Sequence, residues 1–502
     1  MRHVYSALLV AALHVSCITA QVRVLSPKDL VEEIRATGVE NGVIPGTTAT
    51  FGAPFYGEVV LGQLLYNHSA TSHCKDDYSL TAPVEIGRDG AKRLRIFLVD
   101  RGECTFVTKV KVAEDKDAGA VIVVDSKNST LTREDIEHII MADDGWGTKI
   151  KIPSILLTHA DGQRLIDAVV HAQEAGNKDE QAVFAELEWN IPQKDVVAVD
   201  FWTDAANEQG TRFLVDYSKD AETLKGHLRF SPHYHIFSLP VDYNDLCKDR
   251  NTAKFCADDP DGPGDITGHD VVLEDLRQLC LFSVTAEENV DGMKDSRYSK
   301  TFWDYIDRFA KECPIVDKAA ARPPKGVSPD EYRFGEKCSL RILRGLIPKK
   351  MHDFETCVNG PDGLKLLEEE RANMAWSVLA LRINGWRFSG TLERNLVTKA
   401  VCSGFIEPPA PCKTLLKEME GSLSKVTVNK GVGAGTVTLI LLMLVVIVAI
   451  AFYFYQSYLR KSVRTALREE VMLEVKTQMQ DYHPLEEDAI PEQHRESRPL
   501  VS

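Results

Sequence analysis

The distribution of apolar positions changes along the chain. Between residues 45 and 190, short apolar runs alternate with turns. RIFLVD (95–100), AVIVVD (120–125) and IKIPSILLT (150–158) are continuous runs bounded by Gly, Asp or Pro, the pattern of strands buried on both faces. Between the first two, Phe106, Val110 and Ala113 recur at helical spacing and Gly119 stops the run, which predicts a β-α-β unit. A second helix is expected over ADGQRLIDAVVHAQEAG, capped by its Asp and ended at Gly176.

From about Val196 the pattern differs. VVAVDFWT reads as a buried strand and ETLKGHLRF as helical. DVVLEDLRQLCLF, FWDYIDRFAKECP and KCSLRILRGL carry further apolar patterning, and WSVLALRINGWRFSG reads as strand–turn–strand around Asn384-Gly385, a strong hairpin signal. ERNLVTKAVCSGF closes as a helix. Strand, helices, hairpin and helix suggest a thioredoxin-like layer arrangement. Ala321 to Gly326 and Glu407 to Pro411 read as linkers.

Two further stretches set the compartment. Residues 1–20 have a polar start, an apolar YSALLVAALHV and small residues at Ser16, Cys17 and Ala20, the pattern of a cleaved signal peptide. Gly431 to Leu459 hold no charged residue, enough to cross about 30 Å of hydrocarbon at about 1.5 Å per residue. Arg460, Lys461, Arg464 and Arg468 follow it, which places the tail in the cytosol. The expectation is a type I single-pass membrane protein.

Composition narrows this further. The 502 residues carry a net charge of −15, which argues against broad electrostatic binding to nucleic acid. Of eleven cysteines, ten follow the leader and precede the span: Cys74, Cys104, Cys247, Cys256, Cys280, Cys313, Cys338, Cys357, Cys402 and Cys412. An even set on the lumenal side predicts five disulfides. Asn67-His-Ser and Asn128-Ser-Thr are glycosylation sequons on the same side.

FGAPFYGEVVLGQLLY (51–66), VDRGECTFVTKV (99–110), DAGAVIVVD (117–125) and IKIPSILL (150–157) resemble a protease-associated (PA) domain. GHDVVLEDLRQLCLF (268–282), with SPHYHI (231–236), FCADDPDG (255–262), FWDYIDRFAKECP (302–314), NGWRFSG (384–390) and AVCSGF (400–405), is similar to the plant vacuolar sorting receptors, as is the tail segment EVKTQMQDYHPLEED (474–488). The resemblance implies α/β and α+β lumenal domains, a PA domain at 45–190 and a thioredoxin-like cargo-binding region at 195–412. A juxtamembrane linker (413–433), a transmembrane helix (434–456) and a short, disordered or helical tail (457–502) follow. It implies a cargo receptor that binds soluble vacuolar proteins through sorting peptides in the Golgi lumen and recruits clathrin adaptor complexes. It would cycle through Golgi, trans-Golgi network and endosomal or prevacuolar membranes.

The resemblance also assigns residues. Arg101, Gly102 and Glu103 form the cargo-contact loop, with Phe51, Gly52, Met141 and Asp143 on flanking loops. Tyr482 and Leu485 form an adaptor-binding Tyr-x-x-Leu motif. The expected disulfides are Cys74–Cys104, Cys338–Cys357 and Cys402–Cys412, with Cys247–Cys256 and Cys280–Cys313 from the remainder. Three features depart from relatives: no EGF-like repeats precede the span, no cysteine follows the first central strand in FWTDAANEQG, and Leu379 stands where a thioredoxin fold usually keeps its cis-proline. The last two argue against disulfide exchange, which needs a reactive thiolate beside a partner thiol. No HExxH, GxSxG or GxxxxGK[ST] signature is present. The expectation is therefore no enzyme, no cofactor and no metal. His68, His73, His138 and His159 are candidates for acid-triggered release. The alternatives are a thioredoxin-like folding factor and a surface adhesion protein.

Overall fold

A computed structural model describes residues 20–423, apart from 69–71, 77, 79, 81–93, 176–180 and 263. The expected signal sequence up to residue 19, the membrane span, Tyr482 and Leu485 lie outside the described residues. Ala20, counted with the leader in the sequence reading, is the buried first residue of a strand.

The first domain is a closed seven-stranded barrel. Its elements are β1 (Ala20–Ser26), α1 (Lys28–Ala36), β2 (Val43–Thr48), β3 (Val59–Leu65), β4 (Leu94–Asp100), α2 (Phe106–Asp115), β5 (Ala120–Val124), α3 (Arg133–His138), β6 (Ser154–Leu157), α4 (His159–Glu174) and β7 (Phe184–Glu188). The order around the barrel is β1-β2-β6-β5-β4-β3-β7, so it takes in Ala20–Ser26, upstream of the 45–190 segment. Strands β3, β4, β5 and β6 run parallel. Every residue of β5 and β6 is buried, because helices or loops cover both faces. At the antiparallel β1 and β7, burial alternates instead.

Helix α4 is capped by Thr158 rather than by its Asp. The Thr158 hydroxyl accepts from the Asp161 amide. The Asp161 carboxylate meets Arg133 in a paired contact of 2.8 and 2.6 Å, which ties α3 to α4.

The second domain holds β8 (Val197–Thr203), α5 (Glu208–Leu224), β9 (Leu228–Tyr234), β10 (Phe237–Ser238), β11 (Cys247–Asp249), β12 (Lys254–Cys256), α6 (Gly268–Thr285), β13 (Glu287–Glu288), β14 (Arg297–Tyr298), α7 (Lys300–Glu312), α8 (Glu336–Leu346), α9 (Met351–Asn359), α10 (Pro361–Ala372), β15 (Ala380–Ile383), β16 (Trp386–Arg387), α11 (Arg394–Ser403) and α12 (Ala410–Leu423). Its main sheet has the order β13-β14-β9-β8-β15-β16, with β8 and β9 parallel. ETLKGHLRF, read as one helix, is split: ETL ends α5, and LRF opens β9. The expected linker at Glu407 to Pro411 runs into α12, which begins at Ala410.

The Asn-Gly hairpin forms as expected. Asn384 and Gly385 both have positive φ, 54° and 86°, as a two-residue hairpin turn requires. Asn384 is buried, because its side chain also serves distant backbone. It accepts from the Ala198 amide and donates to the Pro192 and Gly404 carbonyls.

Five disulfides are present. Cys74–Cys104, Cys247–Cys256 and Cys402–Cys412 agree with expectation. The remaining four cysteines pair as Cys280–Cys357 and Cys313–Cys338, not as Cys280–Cys313 and Cys338–Cys357. Helix packing decides this. Helix α6 lies against α9, bringing the Cα atoms of Cys280 and Cys357 to 5.8 Å. Helix α7 lies against α8, bringing those of Cys313 and Cys338 to 5.9 Å.

Two buried carboxyls link this domain's stability to pH. Burial lifts Asp204 to about 6; the Ala206 amide opposes the rise and the charge of Asp258 adds to it. Asp275, on α6, is raised for the same reason, with the Asp204 charge adding to it. A folded-state pKa above the unfolded value means that the folded form holds more protons between about pH 4 and 6. Stability therefore falls as pH rises through that window. Asp204→Asn is expected to raise stability at pH 7 by up to about 3 kcal/mol and to change it little at pH 4. Urea melts at the two pH values measure this.

Candidate functional site

Arg101, Asp125 and His159 each stand just past the C-terminal end of one of three adjacent parallel strands, β4, β5 and β6. The Arg101 amide continues the β4–β5 ladder, donating to the Val124 carbonyl at 2.8 Å. The chain then turns sharply. Gly102 and Glu103 have φ of +120° and +64°, and the Cys104 amide bonds back to the Gly102 carbonyl. Cys104 is bridged to Cys74, and Thr105 caps α2 immediately afterwards. The turn is thus fixed on both sides.

The Arg101 side chain is 37% exposed. Its Nη1 lies 3.0 Å from Oδ1 of the fully buried Asp125, and the guanidinium sits 5.6 Å from the Phe106 ring centre. Asp125 Oδ1 also accepts from the Ser126 amide, while its Oδ2 is buried without a partner. His159 Nδ1 donates to the Asp125 carbonyl at 3.1 Å. Beneath the turn, Lys109 is buried and donates to the Ser72 carbonyl. Burial lowers its pKa, against the charges of Asp100 and Glu103.

Two flanking loops are knitted to this turn. The Thr50 amide donates to the Met141 carbonyl, and the Asp143 amide donates to the Thr50 hydroxyl. Asp143 Oδ1 accepts from the amides of Gly145 and Gly147. Thr105 donates to Asp144 at 2.6 Å, joining the 141–147 loop to the turn carrying Arg101. Gly52 has φ +78°, and a Cβ there would lie 2.3 Å from the Ile152 carbonyl oxygen, so the position admits only glycine.

The resemblance places Phe51 and Met141 on the contact surface. Both side chains are buried and support the loops from beneath instead. Glu103 and Asp143 are exposed. Trp146, which the sequence reading passed over, is 64% exposed on the same loop, with the Lys149 ammonium 4.7 Å from its ring centre. Its signal was present: an aromatic between two glycines, directly after Asp143-Asp144.

The four histidines are not equivalent. His73 is buried, and its Nδ1 accepts from the Asp100 amide. His68 and His138 are exposed. His159 alone touches the backbone of the residue that pairs with Arg101. Of the sequon residues, Asn128 is exposed in a turn and Asn67 is half-buried. Among the described residues, no group of three or more His, Cys, Asp or Glu is placed to hold a metal ion.

The family model of the PA domain matches residues 57–165, and that of the vacuolar sorting receptor thioredoxin-like domain matches residues 197–402. Vacuolar-sorting receptor 1 of Pisum sativum is 29% identical over 401 residues, covering 74% of this chain and 58% of its own length. The match is at the level of the plant vacuolar-sorting receptor family. Vacuolar-sorting receptor 6 of Arabidopsis thaliana is 28% identical over 402 residues, again covering 74% and 58%. The chain thus spans about three fifths of the length of the vacuolar-sorting receptors it matches. Among solved structures, a zinc aminopeptidase from Bacillus subtilis aligns over 34% of this chain and 30% of its own, at 18% identity and a TM-score of 0.21. A likeness that slight carries no argument about activity.

Proposed function

We propose that the chain is a type I membrane receptor that captures soluble cargo in the Golgi lumen. It would deliver that cargo to a vacuole or lysosome-like compartment through clathrin adaptors read by Tyr482 and Leu485. The observation that carries this is the Arg101 turn: a partly exposed guanidinium on a disulfide-fixed loop. Such a fork suits peptide carbonyls and carboxylates, and extended peptides are held largely by backbone hydrogen bonds. The reading is non-enzymatic. Every cysteine among the described residues is in a disulfide, and Asp204-Ala205-Ala206-Asn207 occupies the turn where an oxidoreductase keeps its thiols.

Acid release is assigned to His159. Its ring sits on the Asp125 carbonyl, beside the Arg101–Asp125 pair. The test uses the full-length chain in secretory cells. Cargo crosslinked and recovered at neutral pH is eluted with acid and identified, and the receptor is located in the same cells. Vacuolar hydrolases that elute from the wild type, are retained by His159→Gln and are missorted with Tyr482→Ala are the expected result. Recovery of nothing above a control membrane protein counts against the receptor reading.

Trp146 supplies the apolar anchor of the same surface. Trp146→Ala is expected to weaken binding of a recovered cargo peptide by ten- to a hundredfold, about 1–3 kcal/mol. The change in folding stability should stay within about 0.5 kcal/mol, because the ring is exposed. Calorimetric titration and thermal melts check the two halves.

A further inference from the structure

The hairpin of the second domain continues into the barrel domain beside the Arg101 surface. The Gly390 amide donates to the Ala49 carbonyl at 2.9 Å, and the Thr391 amide to the Gly52 carbonyl at 2.7 Å. The Tyr56 hydroxyl donates to the Ser389 carbonyl and accepts from the Ser389 amide, both at 2.8 Å. Its ring stacks on Phe388. Gly390 has φ +102°, and a Cβ there would lie 2.9 Å from the Gly52 carbonyl oxygen, so the two backbones meet directly.

Arg387 makes the most consequential of these contacts. Its Nη2 donates to the Thr47 hydroxyl at 2.6 Å and to the Ile139 carbonyl at 3.2 Å. The Thr47 hydroxyl donates to the same carbonyl at 3.0 Å. Thr47 lies at the root of the loop carrying Phe51 and Gly52, and Ile139 at the root of the loop carrying Asp143 and Trp146. One guanidinium therefore holds both roots together.

That guanidinium is costly. It is half-buried, its Nε is buried without a hydrogen-bond partner, and burial lowers its pKa. A buried donor left without a partner carries the desolvation cost of the group with nothing to offset it. The contact is better explained by the position it imposes than by stability.

Behind Arg387 runs a row of aromatic and cationic groups. Its guanidinium lies 5.9 Å from the Trp376 ring centre, and that of Arg382 lies 5.6 Å from the same ring and 4.9 Å from Trp202. Trp202 stacks on His233 at 4.4 Å and donates to the Asn373 carbonyl. His233 is set against Glu370 and Asp200.

We propose that Arg387, braced from behind by Trp376 and Arg382, is a positioning residue that holds the two loops flanking Arg101 in their peptide-receiving arrangement. The thioredoxin-like domain then acts on the peptide surface without touching the peptide. What the loops receive rests on the reading above, but the bracing does not.

Hydrogen–deuterium exchange on the full-length chain in detergent micelles tests it. Arg387→Met and Trp376→Ala are expected to speed exchange about tenfold in segments 49–54 and 139–147. These hold the Thr50, Asp143, Gly145 and Gly147 amides bonded between and within the loops. Exchange in β4 and β5 should stay unchanged, and Trp376→Phe, which keeps a ring for both guanidinium groups, should behave as wild type. Unchanged loop exchange in the variants overturns the proposal. So does a rise of similar size throughout the barrel, which marks general destabilisation. If Arg387→Met fails to fold, the Trp376 pair decides. Exchange needs no ligand, so failure of the bracing and failure of the cargo reading are separate results.

Discussion

Replacing Arg101 with alanine is expected to lower affinity for a peptide cargo about a hundredfold, or roughly 3 kcal/mol, the range of a central interface arginine. The same change removes the charged partner of Asp125, which is fully buried, and leaves it only the Ser126 amide on Oδ1, since Oδ2 already lacks a partner. An uncompensated buried carboxylate destabilises its surroundings. The 37% exposure of Arg101 tempers the loss, because water enters where the guanidinium was. The double variant Arg101→Ala/Asp125→Asn separates the two effects. It should recover the melting temperature and still fail to bind. Arg101→Lys keeps the charge and loses the planar fork, so it should fall between the two. Calorimetric titration with a cargo peptide, paired with thermal melts, distinguishes these outcomes. Wild-type affinity in the double variant would remove Arg101 from the contact surface.

Loss of the Cys280–Cys357 bridge should have the largest effect on stability. Its sequence separation is 77 residues, against 25 for Cys313–Cys338. On chain entropy, a closed loop of that length contributes about 4 kcal/mol. Cys280→Ala/Cys357→Ala is therefore expected to destabilise the second domain by about that amount. Cys313→Ala/Cys338→Ala should cost slightly less, because its loop is shorter. Both pairs join helices of one core cluster, so neither loss is offset by local unfolding of a surface loop. Chemical denaturation under non-reducing conditions measures the difference. Peptide mapping without reduction should recover fragments linking 280 to 357 and 313 to 338. Recovery of 338 linked to 357 would restore the pairing expected from the sequence.

Much of the barrel was legible because β4, β5 and β6 are buried on both faces. Their apolar runs are continuous and their boundaries are marked by Asp100, Asp125 and Pro153. The Asn384-Gly385 turn was equally legible, since its positive φ values follow from local sterics. Errors fell where a local signal had a nonlocal competitor. Asp161 looks like a cap, but the helix begins two residues before it at His159, so Thr158 caps and Asp161 accepts from Arg133 within the first turn. ETLKGHLRF has helical composition throughout. Its second half pairs with β8 because Leu228 and Phe230 enter the core on strand spacing.

Three features of the site were legible without the structure: the Arg101-Gly102-Glu103-Cys104 turn, the even set of ten cysteines between residues 74 and 412, and the resemblance that joined them to cargo binding. Each depends on residue type and short-range spacing. The tertiary structure alone decided the rest. It set which helices adjoin and hence which cysteines pair, and it buried Phe51 and Met141 while exposing Trp146. It also brought Arg387 to Thr47 and Ile139, across 340 and 248 residues of chain. Contacts at that separation are chosen by how whole faces pack, and no local pattern encodes them.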